Sequence, residues 1–327
     1  MRPGHSIVQT GVVQAGRCAT RLADVATSPS PQQAIDRLRA AFSGPPGHRT
    51  LHAKGRFYTG TFTATPEAAA LCRAGHLDGQ PHEVTVRWSN AAGNARRSDT
   101  RPDIRGMAVK FRLPDGSTTD LLGQTSPRFP TDDPEVFVAL TEASEKPLTL
   151  PLFLARHPGV LPSVVASARA RAISSPASFA EVTFYPIHAY GWLDAAGART
   201  WVRYLFRATA TKADRLDGGF TGRDRLFEEM AARLERGPVT HEVWVQVAGE
   251  GHDPHLATSV WSGARELLAG RIEVTAPVDD PEGGPMSSTP TVFDPTRVVD
   301  GIELSDDPIL RYRPGAYTES VARRTTS

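Results

Sequence analysis

The spacing of hydrophobic positions changes several times along the chain, and the changes mark its elements. From Ser30 the pattern is helical: Ile35, Leu38 and Phe42 recur every three or four residues, Ser30 offers a capping oxygen and Pro31 suits a first turn. Ser43-Gly44-Pro45-Pro46 ends that run. The period then drops to two. Over residues 83–90, Val84, Val86 and Trp88 alternate with Thr85, Arg87 and Ser89, which predicts a half-buried strand with an arginine and a serine on its polar face. Met107, Val109, Phe111 and Leu113 repeat the alternation after a turn-rich stretch over 94–106. Further strands are predicted at 200–206, 241–247 and 271–276, with Asp194-Ala195-Ala196-Gly197 as a hairpin turn. Helices are predicted at 163–173 and at 224–235, where Leu226, Met230 and Leu234 form a stripe that stops before Gly237. Residues 279–290 read as loop. The strands come in hairpin-spaced groups without regular strand–helix alternation, so the class is α+β, an antiparallel sheet or barrel with packed helices. Residues 1–29 carry no sustained period and are expected to form a flexible arm ahead of a single domain at 30–327.

Charge and composition narrow the function classes. Thirty-seven Lys+Arg against 36 Asp+Glu leave a formal charge of +1, too little to concentrate nucleic acid or an anionic membrane through a bulk field. No run approaches the roughly 20 apolar residues that span a bilayer. The N-terminus lacks an apolar core of signal-peptide length, so a cytoplasmic location is expected. Cys18 and Cys72 could form at most one bridge, sit in no C-x-x-C pair and are expected to be plain thiols. The P-loop, the G-x-S-x-G elbow and the H-E-x-x-H helix are all missing. His252 and His255 stand three residues apart, but Gly249, Gly251 and Pro254 around them favour a solvated loop over a metal site.

Six strings carry more information. Arg49-Thr50-Leu51-His52-Ala53-Lys54-Gly55 is followed by Arg87-Trp88-Ser89 and then by Asp103-Ile104-Arg105-Gly106-Met107-Ala108-Val109-Lys110-Phe111. Asp120-Leu121-Leu122-Gly123 with Pro127, His188-Ala189-Tyr190-Gly191-Trp192-Leu193, and Gly301-Ile302-Glu303-Leu304-Ser305-Asp306-Asp307 leading to Arg313, Tyr317 and Arg324 complete the series. In this order they resemble the haem catalase family, with its R-x-x-H-A-K-G, R-F-S, D-P-R-G-F-A-V-K-F, D-L-V-G-N-N-T-P and proximal R-x-x-x-Y segments. The short chain resembles the family's small branch, the catalase-related peroxidases. That resemblance implies an antiparallel β-barrel with flanking helices enclosing haem b, and agrees with the class read from periodicity.

It also implies roles. Tyr317 would be the axial ligand of the iron, as a tyrosinate is in catalases. A free phenol has a pKa of about 10, so holding it ionised at neutral pH means offsetting roughly 4 kcal/mol; Fe(III) would supply most of this and Arg313, four residues earlier, the rest. His52 would move the peroxide proton on the way to a ferryl intermediate, with Ser89 fixing its tautomer. Arg49, Arg87 and Arg324 match the family's haem-propionate arginines, and Phe137 matches the phenylalanine against the haem. Gln124 replaces the asparagine that follows the family's glycine, which predicts weak catalase activity beside peroxidase turnover. The implied partners are a peroxide and a small electron donor, with no nucleic acid and no membrane, and self-association into a homo-oligomer is left open. Two rival readings are a haem sensor or storage protein and a fatty-acid hydroperoxide isomerase.

Overall fold

A computed structural model describes residues 28–44, 47–146, 148–280 and 290–325. All but the last two residues of the expected arm at 1–29 lie outside the described residues, as do Cys18, Pro45, Pro46 and most of the 279–290 loop. Nine strands form one sheet: β1 (Gly55–Ala64), β2 (His82–Asn90), β3 (Arg105–Arg112), β4 (Thr118–Gln124), β5 (Ala189–Leu193), β6 (Arg199–Ala208), β7 (Val239–Val247), β8 (Arg265–Val278) and β9 (Ile302–Leu304). The helices are α1 (Pro31–Phe42), α2 (Pro66–Leu71), α3 (Pro134–Ser144), α4 (Leu150–Arg156), α5 (Leu161–Arg169), α6 (Arg225–Leu234) and α7 (Pro308–Thr325). None of the described helices is long and apolar enough to cross a membrane.

The sheet runs β4-β3-β2-β1-β8-β7-β6-β5-β9, with every neighbour antiparallel. It curls towards closure: Gln124 at the end of β4 bridges to Tyr185, and the adjacent Phe184 bridges to Phe206 of β6. The apolar face predicted for β2 and β3 turns into this half-barrel. Val84, Val86, Trp88, Met107, Val109 and Phe111 are all buried, and the Trp88 ring meets Tyr58 edge-on at 4.9 Å and stacks on Phe179 at 6.1 Å. Those aromatic contacts add to the area they remove from water.

Local chemistry explains the boundaries. Ser30 and Gln33 form the capping box that starts α1, and Ser43 takes a left-handed φ of 48° to end it. The helix expected at 163–173 starts and stops earlier, at Leu161–Arg169. Arg171 adopts a φ of 51°, and the Ala172 N–H reaches back to the Ser167 carbonyl, so 170–173 close the helix instead of extending it. β1 is covered on both faces only at its start, where Tyr58 points into the barrel and Phe57 lies on the outer face beside Phe293; further on Phe62 and Ala64 are buried while Thr61 and Thr63 are exposed.

The two histidines of the 249–262 loop are held by local hydrogen bonds. His252 Nδ1 accepts from the Gly249 N–H, its Nε2 donates to the Ser262 carbonyl, and its ring stacks on Trp261. His255 Nδ1 accepts from the Asp306 N–H. Cys72 is buried and donates to the Gly301 carbonyl, and burial pushes its thiol up to about 11, which keeps it protonated.

Three buried histidines make the fold sensitive to acid. Burial lowers His76 to about 3 and His188 and His241 to about 4, whereas unfolding returns each to about 6.5. Because the folded values are depressed, their stability contribution is complete above about pH 6.5 and is lost as pH falls towards 4. Each group loses about 1.4 kcal/mol per pH unit in that window, so the three together remove about 6 kcal/mol by pH 5, a large part of a total of about 5–15. Urea titrations of the haem-free protein should show the midpoint falling steeply between pH 6.5 and 5. A midpoint constant across that window would show that these imidazoles are not buried as neutral groups.

Candidate functional site

Directly paired residues of antiparallel strands share a face, so the register of β1–β4 defines rows on the outer side of the sheet. Gly55, Ser89, Gly106 and Gln124 form one row, and Phe57, Arg87, Ala108 and Leu122 the next. The two glycines empty the first row: the His52 ring fills the space over Gly106 and the Arg87 guanidinium the space over Gly55. A Cβ on Gly106 would stand 2.7 Å from the imidazole and 2.8 Å from Ser89 Oγ, so only glycine leaves room for the pair. His52 Nδ1 lies 3.0 Å from Ser89 Oγ.

The backbone of His52 is strained, with a φ of 53°. Three hydrogen bonds hold it there: the His52 N–H donates to the Ala91 carbonyl at 2.8 Å, the Ala53 N–H to Ala92 at 3.1 Å, and Arg87 Nη2 to the His52 carbonyl at 3.0 Å. Burial, followed by the positive charges of Arg87, Arg313 and Arg49, lowers the imidazole to about 3. It is therefore neutral at physiological pH, an acceptor ready to take a proton.

The sheet face forms one wall of a cavity and α7 the other, with α1 and α3 closing the sides. The cavity holds about 1430 Å³ of empty space, counting its mouth. Asp307 caps α7: its Oδ1 accepts from the Ile309 and Leu310 N–H groups, while its Oδ2 lies 2.7 Å from His188 Nδ1. Burial works against this carboxylate, but the His188 hydrogen bond and the cap outweigh it and hold it below its ordinary range. One turn on, Arg313 Nη1 donates to the Tyr317 hydroxyl at 2.8 Å, the i, i+4 contact expected if this segment is helical. Phe137 of α3 stacks on Phe129 with ring centres 5.0 Å apart.

All nine residues singled out from the sequence line this one cavity: Arg49, His52, Arg87, Ser89, Gln124, Phe137, Arg313, Tyr317 and Arg324. Sequence reasoning passed over the roles of Gly106, of His188 and Asp307 behind Arg313, and of Thr50, whose hydroxyl lies 3.1 Å from that of Ser320 across the cavity. The register of β3 against β2 was the available signal for Gly106. His188 and Asp307 lie 119 residues apart, and no local pattern joins them.

The walls suit a large carboxylate-bearing group that carries a metal. Burial works against the Arg87 cation, and Arg49 and Arg324 add like charge that Asp280 offsets in part. The Nε atoms of Arg87, Arg313 and Arg324 are buried with no hydrogen-bond partner. Arginines in that state suit carboxylates, while a phenol oxygen on one wall and an imidazole on the other suit a metal held between them.

Comparison with known proteins points the same way. Residues 45–218 match the family model for catalase. The chain is 42% identical to a catalase-related peroxidase of Mycolicibacterium paratuberculosis, over 90% of this chain and 95% of that one. A catalase-related peroxidase of Synechococcus elongatus is 26% identical, over 92% and 90% of the two chains, and a catalase of Staphylococcus epidermidis 27%, over 83% of this chain and 58% of the relative. Among solved structures, a bacterial catalase superposes with a TM-score of 0.71 over 99% of this chain and 67% of its own, at 21% sequence identity. A fungal catalase gives the same score over 89% and 62%, at 20% identity. The half-barrel is thus the catalase fold, and the chain belongs to the catalase family, in its short catalase-related peroxidase branch.

Proposed function

We propose that the protein is a haem b peroxidase that reduces hydrogen peroxide or organic peroxides at the expense of a small-molecule electron donor, with weak catalase activity. The observation that carries this reading is the placement, in one cavity, of a neutral imidazole fixed by Ser89 and a phenol hydrogen-bonded by a half-buried arginine. When bound, haem supplies the redox chemistry at iron. Tyr317 would ligate it, and Arg49, Arg87 and Arg324 would hold its carboxylates.

The chain's own groups then have separable tasks. Ser89 Oγ accepts from His52 Nδ1–H, which leaves Nε2 unprotonated towards the cavity. Nε2 takes the proton from the peroxide oxygen that will stay and returns it to the oxygen that leaves, so one group serves as base and then as acid. The O–O bond breaks with uptake of two electrons and two protons from the donors, giving water and an alcohol, or two waters. Arg313 donates to the Tyr317 oxygen, and Asp307 with His188 fixes the start of α7 from which Arg313 projects. Because His52 is already neutral well below pH 6.5, the rate of reaction with peroxide should stay flat from about pH 5 to 8 in the folded enzyme. A decline following a group near 6.5 would show that His52 titrates normally.

Gln124 sets the expected balance between activities. It shares the row of Ser89 and Gly106 and lines the cavity, so its amide stands on the side of the sheet that carries the His52 ring. Compared with asparagine it adds a methylene and a rotatable torsion, enough to spoil placement where about 1 Å matters. Reduction of peroxide needs mainly His52. Oxidation of a second peroxide to oxygen needs that molecule held between imidazole and amide, and suffers more. Oxygen evolution should therefore be slow relative to oxidation of a small aromatic donor, and Gln124→Asn should raise it several-fold with donor oxidation little changed. An unchanged ratio, or oxygen evolution in the unaltered protein that outpaces donor oxidation, would refute the assignment.

A further inference from the structure

Helix α5 is built inside out. Ser163 and Ser167, one turn apart, face the protein: Ser163 Oγ donates to the Arg128 carbonyl at 2.9 Å, and the Ser167 and Ser126 hydroxyls lie 2.7 Å apart. On the other side, Leu161, Val164, Val165 and Ala168 follow the i, i+3, i+4, i+7 spacing of an apolar stripe and are exposed. Surface helices of folded proteins place these faces the other way round. The flanks continue the pattern, with Leu148 and Leu152 exposed before α5 and Ile173 after it. Six of the nine large apolar side chains exposed among the described residues fall within 148–173, so they are concentrated and not scattered.

Charge on the same segment has one sign. Residues 146–180 contain no Asp or Glu, while Lys146, Arg156, Arg169 and Arg171 are all exposed. The near-neutral total of the chain conceals this local asymmetry. An isologous contact of this segment with a second copy would bring together two basic segments, neither of which contains a carboxylate. An anionic partner with an apolar interior satisfies both features. The aliphatic stripe can enter the boundary of the acyl region while the flanking arginines reach phosphates.

We infer that the face formed by residues 148–173 is a peripheral docking surface for a bilayer with anionic headgroups. The inference is independent of the chemistry in the cavity. Its test is sedimentation of the full chain with vesicles of phosphatidylcholine alone and of phosphatidylcholine with about one third phosphatidylglycerol. At low salt the anionic vesicles should carry the protein down, and the neutral ones should bind at least about tenfold less. Combined Arg156→Glu, Arg169→Glu and Arg171→Glu should weaken partitioning about 100-fold. Combined Leu161→Ser, Val164→Ser and Val165→Ser should weaken it about tenfold or more at unchanged charge, with the circular dichroism spectrum preserved in both. The inference is overturned if the unaltered protein stays in the supernatant with anionic vesicles, or if binding survives both sets of substitutions. It is equally overturned if ultracentrifugation reveals a dimer that the serine substitutions dissolve, which would assign the face to a second copy.

Discussion

His52→Ala should bind haem as the unaltered protein does and yet react with peroxide slower by two or more orders of magnitude. The size follows from what is lost. The imidazole is the neutral base on the sheet wall, held in a strained conformation by the Ala91, Ala92 and Arg87 contacts and seated on Gly106. No second acid–base group in the same row can substitute, because Ser89 and Gln124 do not titrate near neutrality. Stopped-flow mixing of the haem-loaded variant with excess peroxide measures the first step directly. Ser89→Ala should slow it less, since the ring stays but loses the partner that fixes its tautomer. A His52→Ala enzyme that reacts at the original rate would remove His52 from the mechanism.

Tyr317→Phe should lower haem affinity by at least about 100-fold and leave the haem-free fold intact. The substitution deletes one oxygen from a half-buried side chain on α7, so packing changes little. The electrostatic change is larger: Arg313 is half-buried with its Nε enclosed and without a partner, and the Tyr317 hydroxyl is the acceptor for its Nη1. Without that oxygen the arginine is left facing the cavity, and a metal loses its anionic donor. Titration of the haem-free protein with haem, read by tryptophan quenching, gives the affinity. Equal affinities for the variant and the unaltered protein would contradict the ligand assignment.

The parts of the fold that were legible in the sequence are those in which apolar and polar residues fall on separate faces. β2 and β3 announce themselves through Val84, Val86, Trp88 and Met107, Val109, Phe111, and α6 through Leu226 and Met230, because in each the apolar residues share one side; the polar side of β2 and β3, with Thr85, Arg87, Ser89 and Lys110, is buried as well, so these strands are not half-buried as their alternation predicts. β1 is covered on both faces only at its start, where the Phe57-Tyr58 pair breaks the alternation. The extent of α5 was misread because its inward residues are serines, so hydrophobic periodicity marked the exposed face. In the site, side chains carried by contiguous strings could be found by reading along the chain, as with Arg49 and His52 or Arg313 and Tyr317. Contacts made by topology could not. The seating of His52 on Gly106 depends on the register of β3, and the support of α7 by His188 joins the start of β5 to a helix cap.

Resonance Raman spectroscopy of the ferric, haem-loaded protein tests the central claim most directly, because it reports the atom bound to iron. The account predicts high-spin ferric haem with enhanced phenolate ring modes, lost in Tyr317→Phe. Haem bound with an iron–imidazole stretch and no phenolate modes would contradict it.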